Sequence, residues 1–124
     1  VRVNVVSEKA RVETALGALQ PTVAGATISV SGSINRPPMH ESAATALYAV
    51  AQSVAAGIGI TDLQGIAVGG GSDGNFTAAI GVPTLDGLGA CGGGAHADSE
   101  YIKIKTMGER AALAAAITRA LVNS

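Results

Sequence analysis

Hydrophobic and polar residues alternate, or recur at helical spacing, along most of the chain, and these patterns predict its elements. In the first third, alternation predicts two strands, at Val1–Val6 and Ala26–Ser31. Between them, apolar residues at helical spacing after Ser7, a suitable N-cap, predict a helix that ends before Pro21. Two consecutive prolines within Asn35–Met39 remove backbone donors, which predicts a stiff, exposed connector.

After the connector the pattern alternates between strands and helices. Helical spacing predicts a long helix from Ser42 to Ala56, stopped by Gly57, and a final helix from Gly108 to Val122, capped by Thr106. The pair Ser72-Asp73 predicts the cap of a short helix, Gly74–Ile80. Short apolar or alternating runs predict strands at Leu63–Val68, Pro83–Leu88 and Tyr101–Lys105. This order favours an α/β layer with parallel neighbouring strands, and a boundary at the prolines divides the chain into residues 1–39 and 40–124.

Composition narrows the class of protein. The chain has 124 residues, of which 48% are hydrophobic, 14% charged and 2% aromatic, with a formal net charge of -1. It is therefore neither disordered nor suited to nucleic-acid binding, and its core must be built from aliphatic side chains. No apolar run reaches the roughly 18 residues that cross a membrane. The single Cys91 cannot form an internal disulfide, which favours a reducing, cytoplasmic location.

The glycine-rich segment Gly69–Gly74 is the main candidate for chemistry. Three glycines precede Ser72 at the start of a predicted helix, where backbone N–H groups can bind an anion. The segment lacks the lysine of a P-loop, so it does not indicate nucleotide binding. Anion binding and a tight strand-to-helix turn both remain open. Similarly, Arg36 on the stiff connector is either a bidentate carboxylate ligand or an ordinary solvated arginine.

Three further residues are candidates for a functional role because of their side-chain chemistry: Ser72, His96 and Cys91. Ser72 lies in a G-x-S-x-G string, with Asp86 and His96 in the order of an α/β-hydrolase triad, but the spacings are very short and an N-cap explains Ser72 more simply. His96 is either a metal ligand, with Asp98 as acceptor for its second nitrogen, or a surface histidine. Cys91 is interpreted as a small apolar residue.

The motifs together resemble a known family. The matching strings are Val3–Val6, Asn35–Met39, Gly69–Ala79, Gly81–Gly89 and Gly94–Ala97 leading to Glu100–Ile102. In this order they are similar to the C-terminal part of the zinc-dependent exopeptidases that include glutamate carboxypeptidases, acetylornithine deacetylase and succinyl-diaminopimelate desuccinylase. The glutamate-carboxypeptidase branch is the most similar.

The resemblance implies a fold, a reaction and site residues. Residues 1–39 would be a shortened strand-helix-strand remnant of a lid domain that often forms the dimer, and residues 40–124 part of a phosphorylase/hydrolase-like α/β catalytic layer. The parent reaction is hydrolysis of an amide next to a free carboxylate, with two zinc ions as cofactors. His96 matches the last zinc ligand, and Arg36 matches the arginine that holds the substrate carboxylate. The substrate pocket would be lined by Gly70, Gly71, Ser72 and Asn75.

The sequence departs from the family in one important respect. The resemblance places the other zinc ligands and the general base in an N-terminal catalytic segment, and these 124 residues contain no Glu-Glu pair to supply them. One imidazole cannot hold catalytic zinc. We therefore expect a chain that is inactive alone, that is completed by such a segment in another chain, and that can form a homodimer. The alternatives are a non-enzymatic folding or dimerisation module and, less favoured, a serine hydrolase that uses Ser72.

Overall fold

A computed structural model describes residues 1–123, in which helices predominate. The elements, in chain order, are α1 (Glu8–Gly17), a 3-10 turn (Glu41–Ala43), α2 (Thr45–Gly57), α3 (Gly74–Ala79), β1 (Gly92–Gly93), β2 (Tyr101–Ile102) and α4 (Ile104–Val122). The two short strands pair antiparallel, with Gly92 opposite Ile102 and Gly93 opposite Tyr101. This arrangement is compatible with an α/β chain in which the helices carry most of the regular structure.

The buried core lies between α2 and α4. Ala51 and Ala55 are one turn apart on α2, and Leu113 and Ile117 are one turn apart on α4, so each pair faces the other helix. The small alanine side chains allow the larger leucine and isoleucine to pack closely against α2. Partly buried residues surround this cluster: Val54, Ile60, Leu63, Leu85 and Leu88.

The predicted helices are present with shifted ends. The long central helix and the short helix after the glycine segment are confirmed as α2 and α3. The final helix begins about one turn earlier than predicted, at Ile104, and its N-cap is Lys103 rather than Thr106. The Thr106 hydroxyl instead donates to the Lys103 carbonyl at 2.8 Å. Ser7 precedes α1 but makes no capping hydrogen bond through its side chain.

Most of the predicted strands are wrong. Among the described residues, the segments Val1–Val6, Ala26–Ser31, Leu63–Val68 and Pro83–Leu88 form no strand, and the one sheet is antiparallel rather than parallel. Alternating hydrophobicity favours extended backbone, but a strand also requires a neighbour to accept its hydrogen bonds. These segments have no such neighbour within residues 1–123, and the side chain of Ile66 is 79% exposed.

In the segment Leu63–Val68, a side chain supplies hydrogen bonds that a neighbouring strand would otherwise supply. The Tyr48 hydroxyl of α2 donates to the Leu63 carbonyl at 2.8 Å and accepts from the Gly65 N–H at 2.8 Å. The extended segment after α2 is therefore fixed to the helix by one phenol rather than by a strand.

A hydrogen bond of the connector links the N-terminal segment, residues 1–39, to the rest of the chain. Within that segment, the Ile34 N–H donates to the Glu13 carboxylate at 2.8 Å, which joins the connector to α1. The Asn75 amide of α3 donates to the Pro37 carbonyl at 2.8 Å, across the proposed boundary. The division into residues 1–39 and 40–124 stays a prediction. Within residues 1–123, no helix has both the length and the apolar character that crossing a bilayer requires.

Candidate functional site

Arg36 lies against the glycine loop, which we define as Gly69–Asn75. Its guanidinium is 3.6 Å from the Asp73 carboxylate, and its central carbon is 5.0 Å from the centroid of the Phe76 ring. A Cβ on Gly71 would lie 2.8 Å from the Arg36 Cδ, so only glycine leaves room for the arginine stem. The structure therefore brings the connector arginine and the glycine loop together.

The neighbours of Arg36 orient its guanidinium but bind it only weakly. The Asp73 side chain is 98% exposed, and an ion pair so open to water is weak and easily exchanged. The Phe76 ring attracts the cation through its electron-rich face and restricts where the guanidinium can lie. The arginine is thus held in one region while its hydrogen-bond donors stay available to an incoming anion.

Asn75 joins the connector to the glycine loop through both ends of its amide. Its Nδ2 donates to the Pro37 carbonyl at 2.8 Å, and its Oδ1 accepts from the Ser72 N–H at 2.8 Å. Asn75 therefore uses these groups within the protein, where they link the connector to the glycine loop. Gly70, between the two contacted glycines, has open space where a side chain would project.

Ser72 is held by a turn and by a carboxylate rather than by a histidine. Its hydroxyl oxygen accepts from the Gly74 N–H at 3.1 Å. The hydrogen bond from the Ser72 hydroxyl, followed by that from the Gly87 N–H, lowers the pKa of the Asp86 carboxyl below its ordinary value. The His96 ring forms no hydrogen bond with Ser72 or Asp86 within residues 1–123, so the triad arrangement is not formed in this structure.

His96 lies in the loop between β1 and β2, in an unusual backbone conformation. It is the non-glycine residue with a positive φ, at 66°, a conformation that costs free energy and is concentrated at functional sites. Its backbone N–H donates to Glu100 at 3.4 Å, and its side chain is exposed. The adjacent strands stay close because Gly92 faces the Tyr101 carbonyl and Gly93 lies under the Tyr101 ring.

The described residues do not fit a complete metal centre. Within them, no group of three or more His, Cys, Asp and Glu side chains could hold a metal ion. The second histidine, His40, caps the turn before α2, where its Nδ1 accepts from the Ser42 N–H at 3.2 Å. Cys91 is an exposed free thiol next to β1. Asp98, the acceptor predicted for His96, forms no hydrogen bond with it among residues 1–123.

Three residues of the site escaped the sequence interpretation. The sequence predicts Asp73 only as part of a helix cap, although it forms the ion pair with Arg36. Phe76 is the single phenylalanine of an aromatic-poor chain, a signal that could have attracted notice. Arg2, whose guanidinium lies against Gly69, gives no local pattern because the contact joins distant parts of the chain.

The site thus consists of an arginine placed beside a glycine loop, and comparison with known proteins gives the family. The model of peptidase family M20/M25/M40 matches residues 3–120, nearly the whole chain. The chain belongs to this peptidase family, whose members are hydrolases that generally depend on metal ions. Comparison with curated proteins and with solved structures gives no match.

Proposed function

We propose that this chain forms the carboxylate-binding part of an exopeptidase that hydrolyses an amide next to a free carboxylate, as glutamate carboxypeptidases do. The observation that carries the proposal is the placement of Arg36. Its side chain lies against Gly71, and its guanidinium is near both the Asp73 carboxylate and the Phe76 ring, on a connector stiffened by two prolines.

The chemistry of this arrangement suits a terminal carboxylate. A guanidinium can donate two parallel hydrogen bonds to a carboxylate, and the surrounding glycine backbone leaves space for the substrate. Because Arg36 is already positioned, binding the substrate immobilises little more of the side chain. The weak partner Asp73 would be displaced by the substrate carboxylate.

His96 is proposed as the one metal ligand that this chain contributes. Its exposed imidazole in a strained loop supports this role, but the described residues alone do not complete a zinc site. The remaining ligands and the general base would come from the N-terminal catalytic segment of the family. The proposed partners are therefore that segment and a substrate with a free carboxylate, with a homodimer through residues 1–39 as a further assembly.

Substitution of Arg36 tests the proposal. With the chain supplied with an N-terminal catalytic segment and zinc, Arg36→Lys should lower kcat/KM about tenfold or more for N-acyl amino acids, because an ammonium cannot form the paired hydrogen bonds. The same substrates with the carboxylate amidated should be affected little. Arg11→Lys is the matched control, since Arg11 is exposed and pairs with Glu8 on α1.

Two results would contradict the proposed role. Equal losses on free and amidated substrates would make Arg36 a structural residue. Activity that resists chelation and vanishes in Ser72→Ala would favour a serine hydrolase instead.

A further inference from the structure

Two aspartates of the chain are followed directly by glycine, and their surroundings differ. Asp86-Gly87 lies in an irregular segment between α3 and β1, where both residues are exposed. Asp73-Gly74 lies at the start of α3, with Asp73 in a helical conformation. An aspartate before glycine readily closes a ring with the main chain, because glycine has no side chain to hinder its nitrogen. The two pairs therefore separate the effect of structure from that of sequence.

In Asp86-Gly87, the two groups that would react already lie together. The Gly87 N–H donates to Oδ1 of the Asp86 carboxylate at 2.7 Å, and Oδ1 is bonded to the carboxyl carbon, Cγ. A C=O bond measures about 1.2 Å, so the nitrogen is within about 4 Å of Cγ. Reacting atoms in a near-attack geometry are roughly 3–3.5 Å apart. A Cβ on Gly87 would meet nothing within 4 Å, so ring closure has open space around it.

In Asp73-Gly74, the corresponding groups are directed elsewhere. The Gly74 N–H donates to the Ser72 hydroxyl oxygen at 3.1 Å, and the Asp73 carboxylate is 3.6 Å from the Arg36 guanidinium. Gly74 is also the first residue of α3, so ring closure there would first require the start of the helix to unwind.

We propose that Asp86-Gly87 is a site of spontaneous isoaspartate formation. The Gly87 nitrogen bonds to Cγ of Asp86, and one carboxyl oxygen leaves as water with the carboxyl proton and the proton of the nitrogen, which closes a succinimide ring. Water then opens the ring. Attack at Cγ restores aspartate, whereas attack at the backbone carbonyl carbon of Asp86 gives isoaspartate. Isoaspartate places the Asp86 Cβ in the main chain and so lengthens the segment between the glycine loop and His96.

Peptide mapping of the aged protein tests the site. Hydrogen bonds from Ser72 and Gly87 lower the pKa of the Asp86 carboxyl, and only the protonated carboxyl loses water. The intact chain is therefore incubated for several weeks at body temperature and mildly acidic pH, where circular dichroism shows that it is folded. Isoaspartate at residue 86 should exceed that at residue 73 about fivefold or more, because orientation favours the attack. Electron-transfer fragmentation and resistance to endoproteinase Asp-N locate the isoaspartate.

Unfolding and substitution provide the controls. In concentrated urea both pairs lose their native hydrogen bonds, so the ratio should fall to within about twofold of one. Gly87→Asn should lower isoaspartate at residue 86 alone, because the new side chain hinders the nitrogen while asparagine tolerates the positive φ. Gly25→Asn is the matched control, since Gly25 has a similar φ of 81° and open space around it.

Three results would overturn the site. One is equal isoaspartate at residues 73 and 86, or none at either, in the folded chain. Another is a ratio that urea leaves unchanged, since the local sequence would then explain it. The third is an equal reduction in Gly87→Asn and Gly25→Asn. None of these results bears on Arg36, so the proposed function stands or falls separately.

Discussion

At the scale of single residues, the surroundings of Asp86 make the stability of the fold depend on pH. The Ser72 hydroxyl and the Gly87 N–H both donate to the Asp86 carboxylate and lower its pKa. A carboxyl group whose pKa is lower in the folded state stabilises the fold above its unfolded pKa. This stabilisation is lost as the pH falls through the folded pKa, which here lies below the ordinary value of an aspartate.

Ser72→Ala should therefore raise the pKa of Asp86 toward its ordinary value. The rise should be partial, because the hydrogen bond from Gly87 remains. Acid unfolding should then begin at a higher pH than in the unchanged protein. A carboxyl ¹³C titration of Asp86 by NMR measures the pKa, and Ser53→Ala, on the exposed side of α2, is the control. An unchanged pKa in Ser72→Ala would show that the hydroxyl does not donate to Asp86.

At this scale, the sequence predicts features formed by residues close together along the chain, but it does not predict contacts between residues far apart. The glycine run and the cap before α3 are local patterns, and the structure contains both a turn at Ser72 and a helix from Gly74. The contacts of Arg36 with Phe76 and of Arg2 with Gly69 join residues tens of positions apart. No local pattern encodes such contacts, since they depend on how the connector folds back over the loop.

At the scale of elements, the packing of α2 against α4 is the main source of stability. Leu113 is fully buried between Ala51 and Ala55, whereas Ile104, on the first turn of the same helix, is 78% exposed. Leu113→Ala should lower the free energy of unfolding by about 2–4 kcal/mol, because it removes buried methyl groups and leaves a cavity. Ile104→Ala should change it by less than about 0.5 kcal/mol.

Urea unfolding followed by circular dichroism at 222 nm checks this prediction. Because a core this small gives a low free energy of unfolding, Leu113→Ala can lose helix even without denaturant. Leu113→Val should lower the free energy of unfolding less, and it then keeps the comparison measurable. Equal effects at Leu113 and Ile104 would mean that α4 does not pack on α2 as described.

The helices were predictable and the strands were not, for a physical reason. A helix satisfies its backbone hydrogen bonds within its own segment, so the periodicity of α2 and α4 contains most of the necessary information. A strand depends on another segment. The alternation in Leu63–Val68 indicated extended backbone, but it could not show that Tyr48 would supply the hydrogen bonds there.

At the scale of the whole molecule, the scarcity of clustered ligands predicts weak metal binding. Calorimetric titration of the chain alone with Zn²⁺ should show no saturable site tighter than roughly micromolar, because the described residues bring no three ligand side chains together. His96→Ala should leave the titration unchanged. A tight one-to-one site that His96→Ala removes would mean that further residues converge on His96 in solution.

A core confined to one helix pair also has a thermal consequence. The increase in heat capacity on unfolding comes chiefly from apolar surface that water reaches for the first time. In this chain, side chains such as Val1, Ile66, Ile80 and Val122 already meet water in the folded state. The heat capacities of the folded and unfolded chain therefore differ little for a protein of this length. Its stability curve is accordingly flat, changing only gradually between cold and warm conditions.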